Sequence, residues 1–221
     1  MAKERTVVAA GPSRHSRLPD VEPLPPMSPP ERVARGLAAR GRVPLGRHGT
    51  WRLSSDRPDP LAILARQAAA RDASLVPLRY GRMAASPFAF FRGAAAIMAS
   101  DLSTTPVTGL RAQLCGDAHL TNFGIFDTPE RSHLFDINDF DETLPGPWEW
   151  DVKRLAASIE VAGRDLGFDK AARRAAVLAC VSAYRGRIRE FSEMGNLEVW
   201  HSRIGAADLL ARMAEEHDPG L

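Results

Sequence analysis

The sequence predicts an α+β chain, mostly helical, with a small β-hairpin element in the middle that carries acidic loops. Three observations predict this. Apolar residues recur at spacings of three and four from Asp59 to Asp101 and again from Val152 onward. Between them, Gly109 to Ile137 changes to short alternating runs broken by Gly, Asp and Pro. Running through and just past that middle part, residues 114–141 read LCGDAHLTNFGIFDTPERSHLFDINDFD, with five aspartates set among short apolar runs.

The elements follow in chain order. Residues 1–30 are rich in Pro, Arg and Ser and contain PLPPMSPP at 23–30. Such a segment buries too little apolar surface to offset its ordering entropy, so the expectation is a disordered tail, with a proline-rich docking peptide as the alternative. A short helix is expected over 31–40. The basic stretch 41–53 is expected as a loop anchored by Trp51, with Arg47 and His48 either solvated or facing phosphate. Asp59-Pro60 is a helix start, the carboxylate capping and the proline fitting the first turn; Leu61, Leu64, Ala65 and Ala68 carry that helix to about Arg71. Ser86-Pro87 repeats the device, and Phe88, Phe91, Ala95 and Met98 follow on one helical face toward Asp101. Arg79, Arg82 and Arg92 flank Tyr80, Phe88, Phe90 and Phe91. They form either an anion-facing cluster, with Arg82 and Arg92 as cofactor-binding candidates, or a packed helix whose arginines lie along the surface.

Leu110, Ala112 and Leu114 alternate as a strand over 109–115, and Gly116 lets the chain turn. Phe123 to Phe126 and His133 to Ile137 read as two more strands joined by an Asp-Thr-Pro-Glu turn. ETLPGPWEWD (142–151) reads as a loop. Asp151 is a plausible cap for a helix bearing Val152, Leu155, Ile159, Ala162 and Leu166 on one face. Gly167 ends it, and Asp169 caps a long helix over 170–192 with Ala175, Leu178, Val181, Tyr184 and Ile188 on its face. Trp200 is expected to anchor the next segment, before a last amphipathic helix at 205–216. No internal repeat is visible.

Composition bounds the function. Apolar content is 44% and charged content 25%, as in a globular chain that buries a core. A net charge of +2 does not suggest a nucleic-acid partner. No run approaches the ~20 apolar residues of a membrane span, and Val7 to Ala10 is too short for a signal peptide's hydrophobic region. Cys115 and Cys180 permit one disulfide but suggest no disulfide scaffold, so the expected compartment is a reducing cytoplasm. Oligomeric state is left open.

The chemistry lies in the acidic loops. GDAHLTN places Asp117 and Asn122 five residues apart, and NDFD places Asp139 and Asp141 at the end of a strand. A carboxylate and an amide on one loop, with a second carboxylate at a strand end, is how phosphoryl-transfer enzymes position a hydroxyl and hold magnesium. GDAHLTN resembles the catalytic loop of the protein-kinase-like superfamily and looks closest to the aminoglycoside and choline phosphotransferase branch. INDFDE resembles that branch's I-D-F segment, and PWEWDVKRLA its D-P-x-x-D-L-A segment. Over roughly residues 40–200, the run SPFAFFRGAA through CGDAHLTNFG to NDFDETLPGPWEWDVKRLA closely resembles a bacterial family known as domain of unknown function 2252.

The resemblance implies a fold, a reaction and roles. The fold is a protein-kinase-like C-lobe, with the β-hairpin element carrying the catalytic and metal loops. The reaction is ATP- and Mg²⁺-dependent phosphoryl transfer to a small-molecule hydroxyl. Asp117, with His119 beside it, orients the attacking hydroxyl. Asn122, Asp139 and Asp141 are the metal set, and Asp151 ties the following helix to the catalytic loop. Magnesium takes hard oxygen ligands and keeps several waters, so few protein ligands suffice when phosphates supply the rest. Cys115 stands where the pattern has a histidine. No G-x-G-x-x-G occurs, and of Lys3, Lys153 and Lys170 none is placed to pair phosphates. The chain therefore looks like the front portion of such a protein, incomplete toward its C-terminus and inactive alone. Two other readings stay open. One is a non-catalytic nucleotide- or partner-binding module. The other is a metal-dependent phosphoesterase using the G-D-x-H motif, in which Asp136, Asp139 or Asp141 would complete a dinuclear site.

Overall fold

The computed structural model describes residues 27–216. The expected tail, apart from its last residues, lies outside them. Helix α1 (Pro29–Arg42) starts earlier than expected. Ser28 precedes it, and the Glu31 carboxylate accepts from both the N–H and the O–H of Ser28, each at 2.7 Å. Two prolines in the first turn are compatible with this start, because the first N–H groups of a helix have no internal acceptor. A 3₁₀ turn, Leu45–Gly49, follows.

Four short helices come next: α2 (Pro60–Ala68), α3 (Val76–Met83), α4 (Pro87–Arg92) and α5 (Ala95–Leu102). The expected caps are present. Asp59 accepts from Leu61 N (3.1 Å) and Ser86 Oγ from Ala89 N (3.1 Å). The helix expected to run on from Ser86 is interrupted at Gly93-Ala94. There the Gly93 carbonyl accepts from Arg79 Nη2 at 2.8 Å, and Met83 packs so close that a Cβ on Gly93 would meet its sulfur at 2.6 Å. This break lets Ile63, Leu64, Met83, Ala94 and Ile97 form the apolar core.

The β part is two separate antiparallel pairs. Strand β1 (Arg111–Leu114) pairs with β4 (Leu144–Pro147), and β2 (Phe123–Asp127) with β3 (His133–Ile137). Their registers run Arg111↔Pro147 to Leu114↔Leu144 and Phe123↔Ile137 to Asp127↔His133. Strand β4 corrects the loop expected over 142–151. Both strands of a two-stranded ribbon are edges, so Pro145 and Pro147 can leave their missing donors on the outer side.

Helix α6 (Glu149–Asp165) packs on α7 (Lys170–Glu193), on α4 and on α5. Gly167, at φ +76°, ends α6, and Asp169 caps α7 by accepting from Ala172 N at 2.8 Å. Helices α8 (Asn196–His201) and α9 (Ala206–Glu216) follow. Three burial expectations are corrected. Trp51 is 49% exposed and Trp200 83% exposed, so neither is an anchor. On α7 the half-buried positions include Val177, Cys180, Val181, Tyr184 and Phe191, while Leu178 and Ile188 face outward. On α6 Leu166 is exposed, and the deepest stripe is polar.

Candidate functional site

That polar stripe builds the site. Glu149 at the start of α6, and Asp151, Arg154 and Ser158 at spacings of three and four along it, hold the chain from Thr108 to Leu120. Glu149, 2% exposed, accepts from Thr108 N (2.7 Å) and Thr108 Oγ1 (2.5 Å). Asp151 accepts from the backbone N–H of Cys115 (2.7 Å) and of Gly116 (3.1 Å). Arg154 donates to Asp117, and Ser158 Oγ accepts from Leu120 N at 3.1 Å. The periodicity of α6 thus sets the path of the Asp117 loop. Asp151 sits inside the first turn and caps the loop rather than its own helix, which corrects its expected role as N-cap; Trp148 occupies that position.

Gly116 makes the turn into the loop at φ +84°, a left-handed conformation that a side chain disfavours. A Cβ there would also fall 2.0 Å from the Glu142 carbonyl, so the second acidic loop lies directly against the first. Asn122, 4% exposed, joins the two loops. Its Nδ2 donates to the carbonyls of Asp117 (3.1 Å) and Asp139 (3.0 Å), and its Oδ1 accepts from Asp139 N (2.8 Å). Asn138 N donates to the Asn122 carbonyl at 2.9 Å. The amide oxygen assigned to the metal therefore already accepts the Asp139 N–H, and Asn122 acts here as a clamp between loops. The Asp139 side chain is left exposed, with Asp141 N donating to its Oδ1 at 3.1 Å.

Asp117 is held through one oxygen and has an imidazole near the other. Arg154, 2% exposed, donates through Nε to Asp117 Oδ1 at 2.6 Å and also through Nη2. The same guanidinium donates to the Phe91 carbonyl (3.0 Å) and lies 4.5 Å from the Phe91 ring centroid. His119 Nε2 is 3.6 Å from Asp117 Oδ2, too long for a direct hydrogen bond, while Nδ1 lies 3.1 Å from Thr121 Oγ1. Burial pushes the His119 pKa below its ordinary value; Arg154 and Arg92 push the same way and Asp117 opposes them. The imidazole is neutral at neutral pH. Burial raises the Cys115 thiol, further raised by Asp151, Asp117 and Asp139, so this cysteine is a protonated packing residue. Burial also raises Asp151, against the two N–H groups it accepts.

Glu142 completes an acidic cluster that residue patterns did not reveal. Burial raises its pKa, then the charges of Asp117, Asp139 and Asp141, with Arg71 opposing. The structure thus brings Asp117, His119, Asn122, Asp139, Asp141 and Asp151 together. Arg92 is close enough to act on His119; exposed Arg82 has no bond to these loops among the described residues. Arg154, Glu142 and Arg71 are the additions. In the sequence Arg154 is one of many arginines, and the available signal was its place three residues after Asp151 and four before Ser158.

Asp139 and Asp141 are exposed, and their charges and that of Asp117 act on Glu142. Among the described residues no three His, Cys, Asp or Glu side chains form a metal-holding group by themselves. Also among them, no helix is long and apolar enough to cross a membrane, and both cysteines are free. No curated protein and no solved structure matches the chain. A family model does: uncharacterised proteins conserved in bacteria, DUF2252, matched over residues 71–220. The match begins after α2 and spans every element of the site, further toward the C-terminus than the sequence resemblance extended. The α6 stripe, the Asn122 clamp and the acidic loops are therefore features of a member of the DUF2252 family, to which this chain belongs.

Proposed function

We propose that this chain carries the hydroxyl- and metal-binding side of an ATP- and Mg²⁺-dependent phosphotransferase acting on a small molecule. The observation that carries the reading is the double clamp on the acidic loops. Asp151 fixes the backbone that enters the Asp117 loop, and Asn122 fixes the Asp139 backbone against it, leaving the Asp139 side chain exposed. Phosphoryl transfer asks little of a protein beyond such positioning and charge neutralisation. Asp117 would orient the acceptor hydroxyl, with its Oδ1 held by Arg154. Asp139, helped by Asp141, would hold magnesium, which when bound neutralises the nucleotide phosphates. Arg92 and Arg71 add positive charge near the two loops. Lys153 does not supply a phosphate-pairing lysine: its Nζ donates to Thr105 Oγ1 at 3.0 Å.

A second reading, a nucleotide-binding module without transfer, is favoured by one observation. Two donors of Arg154 engage the same oxygen of Asp117, which lowers its basicity toward a hydroxyl.

Calorimetric titration of MgATP into the chain tests the proposal, beside a magnesium-free control and Asp139→Ala. Binding that requires both magnesium and Asp139 is the expected result. Binding by folded protein that survives loss of either would overturn the metal role. Phosphate transfer to added hydroxyl compounds then separates the enzyme from the binding module.

A further inference from the structure

Helices α4, α5 and α6 and the stretch around the 3₁₀ turn line a half-open pocket of about 580 Å³ that the acidic loops do not use. Its walls include Trp51, Phe90, Phe91, Ile97, Met98 and Leu102. This volume lies within the range of small-molecule sites. One charged group in its wall has no counter-ion in contact. Lys153 Nζ donates to Thr105 Oγ1, which also lines the cavity, and makes no salt bridge among the described residues. Glu149 acts on it only at longer range, with one carboxylate oxygen held by Thr108. The other charge at the wall, Asp101, is neutralised by Arg57 through bonds of 2.6 and 2.8 Å and would not repel an anion. His48, also in the wall, has a buried Nδ1 with no partner.

An ammonium facing apolar walls is costly unless an anion joins it. We propose that this cavity binds a small amphiphilic carboxylate, with its apolar body against Phe90, Ile97 and Leu102 and its carboxylate on Lys153 Nζ. Phe91 and Met98 line the cavity and also contact Arg154, so a ligand here touches the residues that pack the arginine holding Asp117.

Calorimetry on the full chain with decanoate, and with decanol as its uncharged counterpart, tests this. Decanoate is expected to saturate one site and to bind more tightly than decanol. Lys153→Gln keeps a donor for Thr105 but removes the charge, and should weaken decanoate about tenfold while leaving decanol unchanged. Lys153→Arg should retain most of the decanoate affinity. Phe90→Trp, at the half-open wall, narrows the cavity and should weaken both ligands. Circular dichroism establishes that each variant is folded. Equal affinities for decanoate and decanol, no saturable binding by the folded chain, or binding indifferent to both Lys153→Gln and Phe90→Trp would each overturn the proposal. The last outcome would place the ligand on exposed apolar surface instead.

Discussion

Arg154 and His119 address different oxygens of the Asp117 carboxylate, and the protein keeps only the first of them charged. A second cation against the same carboxylate, beside a buried guanidinium, would have to be desolvated and would repel Arg154. This has a pH signature. The folded His119 pKa lies below 6.5, so as pH falls below 6.5 the unfolded chain takes up a proton that the folded chain refuses. Stability from this group is present above 6.5 and lost as pH falls toward the folded value. Glu142 and Asp151 act with the opposite sign: their pKa values are raised, so their contribution is present at low pH and lost as pH rises through the folded values. The comparison must therefore be made against His119→Gln. Urea midpoints measured from neutral pH downward should show the wild type losing stability relative to His119→Gln in the window below 6.5. A constant difference would mean that the imidazole is not held neutral.

Elements carry the loops, and two substitutions test them. Gly116→Ala combines a left-handed residue, costing about 1–3 kcal/mol, with a collision against the Glu142 carbonyl. The urea midpoint should fall and MgATP binding should fail, because the two loops can no longer lie together. Asp169→Ala removes the α7 cap and should cost about 1 kcal/mol in the same assay without touching nucleotide binding. The sequence was informative where chemistry is local. Asp59, Ser86 and Asp169 cap their helices as their positions suggest, and the bounds of β3 were readable from the turn before it and Asn138-Asp139 after it. It was less informative where a partner lies far along the chain. Strand β4 was hidden because prolines argue against a strand until its edge position is known. The break at Gly93-Ala94 depends on Met83 and Arg79 packing against it. The Asp117–Asn122–Asp139 grouping was visible from spacing and residue type, whereas Asn122's inward-turned amide and Arg154's burial depend on contacts 17 and 37 residues away.

At the scale of the molecule, bulky side chains announce that something is buried but not what covers it. Leu166 (71% exposed) at the end of α6, and Leu197 (72%) and Trp200 (83%) on α8, lie without cover from this chain's described residues. Apolar surface of this kind drives association. Sedimentation velocity should show mass rising with concentration, and a Leu197→Glu, Trp200→Glu double variant should shift the distribution toward monomer. A wild type that stays monomeric across the concentration range would show that these side chains are too scattered to act as one patch.

The Asn122 clamp has a consequence in time as well as space. The Asp139 amide belongs to an exposed residue, yet its proton is given to a carboxamide that solvent does not reach. Deuterium can replace it only when the two acidic loops part. Uptake at that single amide is therefore a clock for their separation, and it should run far slower than at neighbouring loop amides.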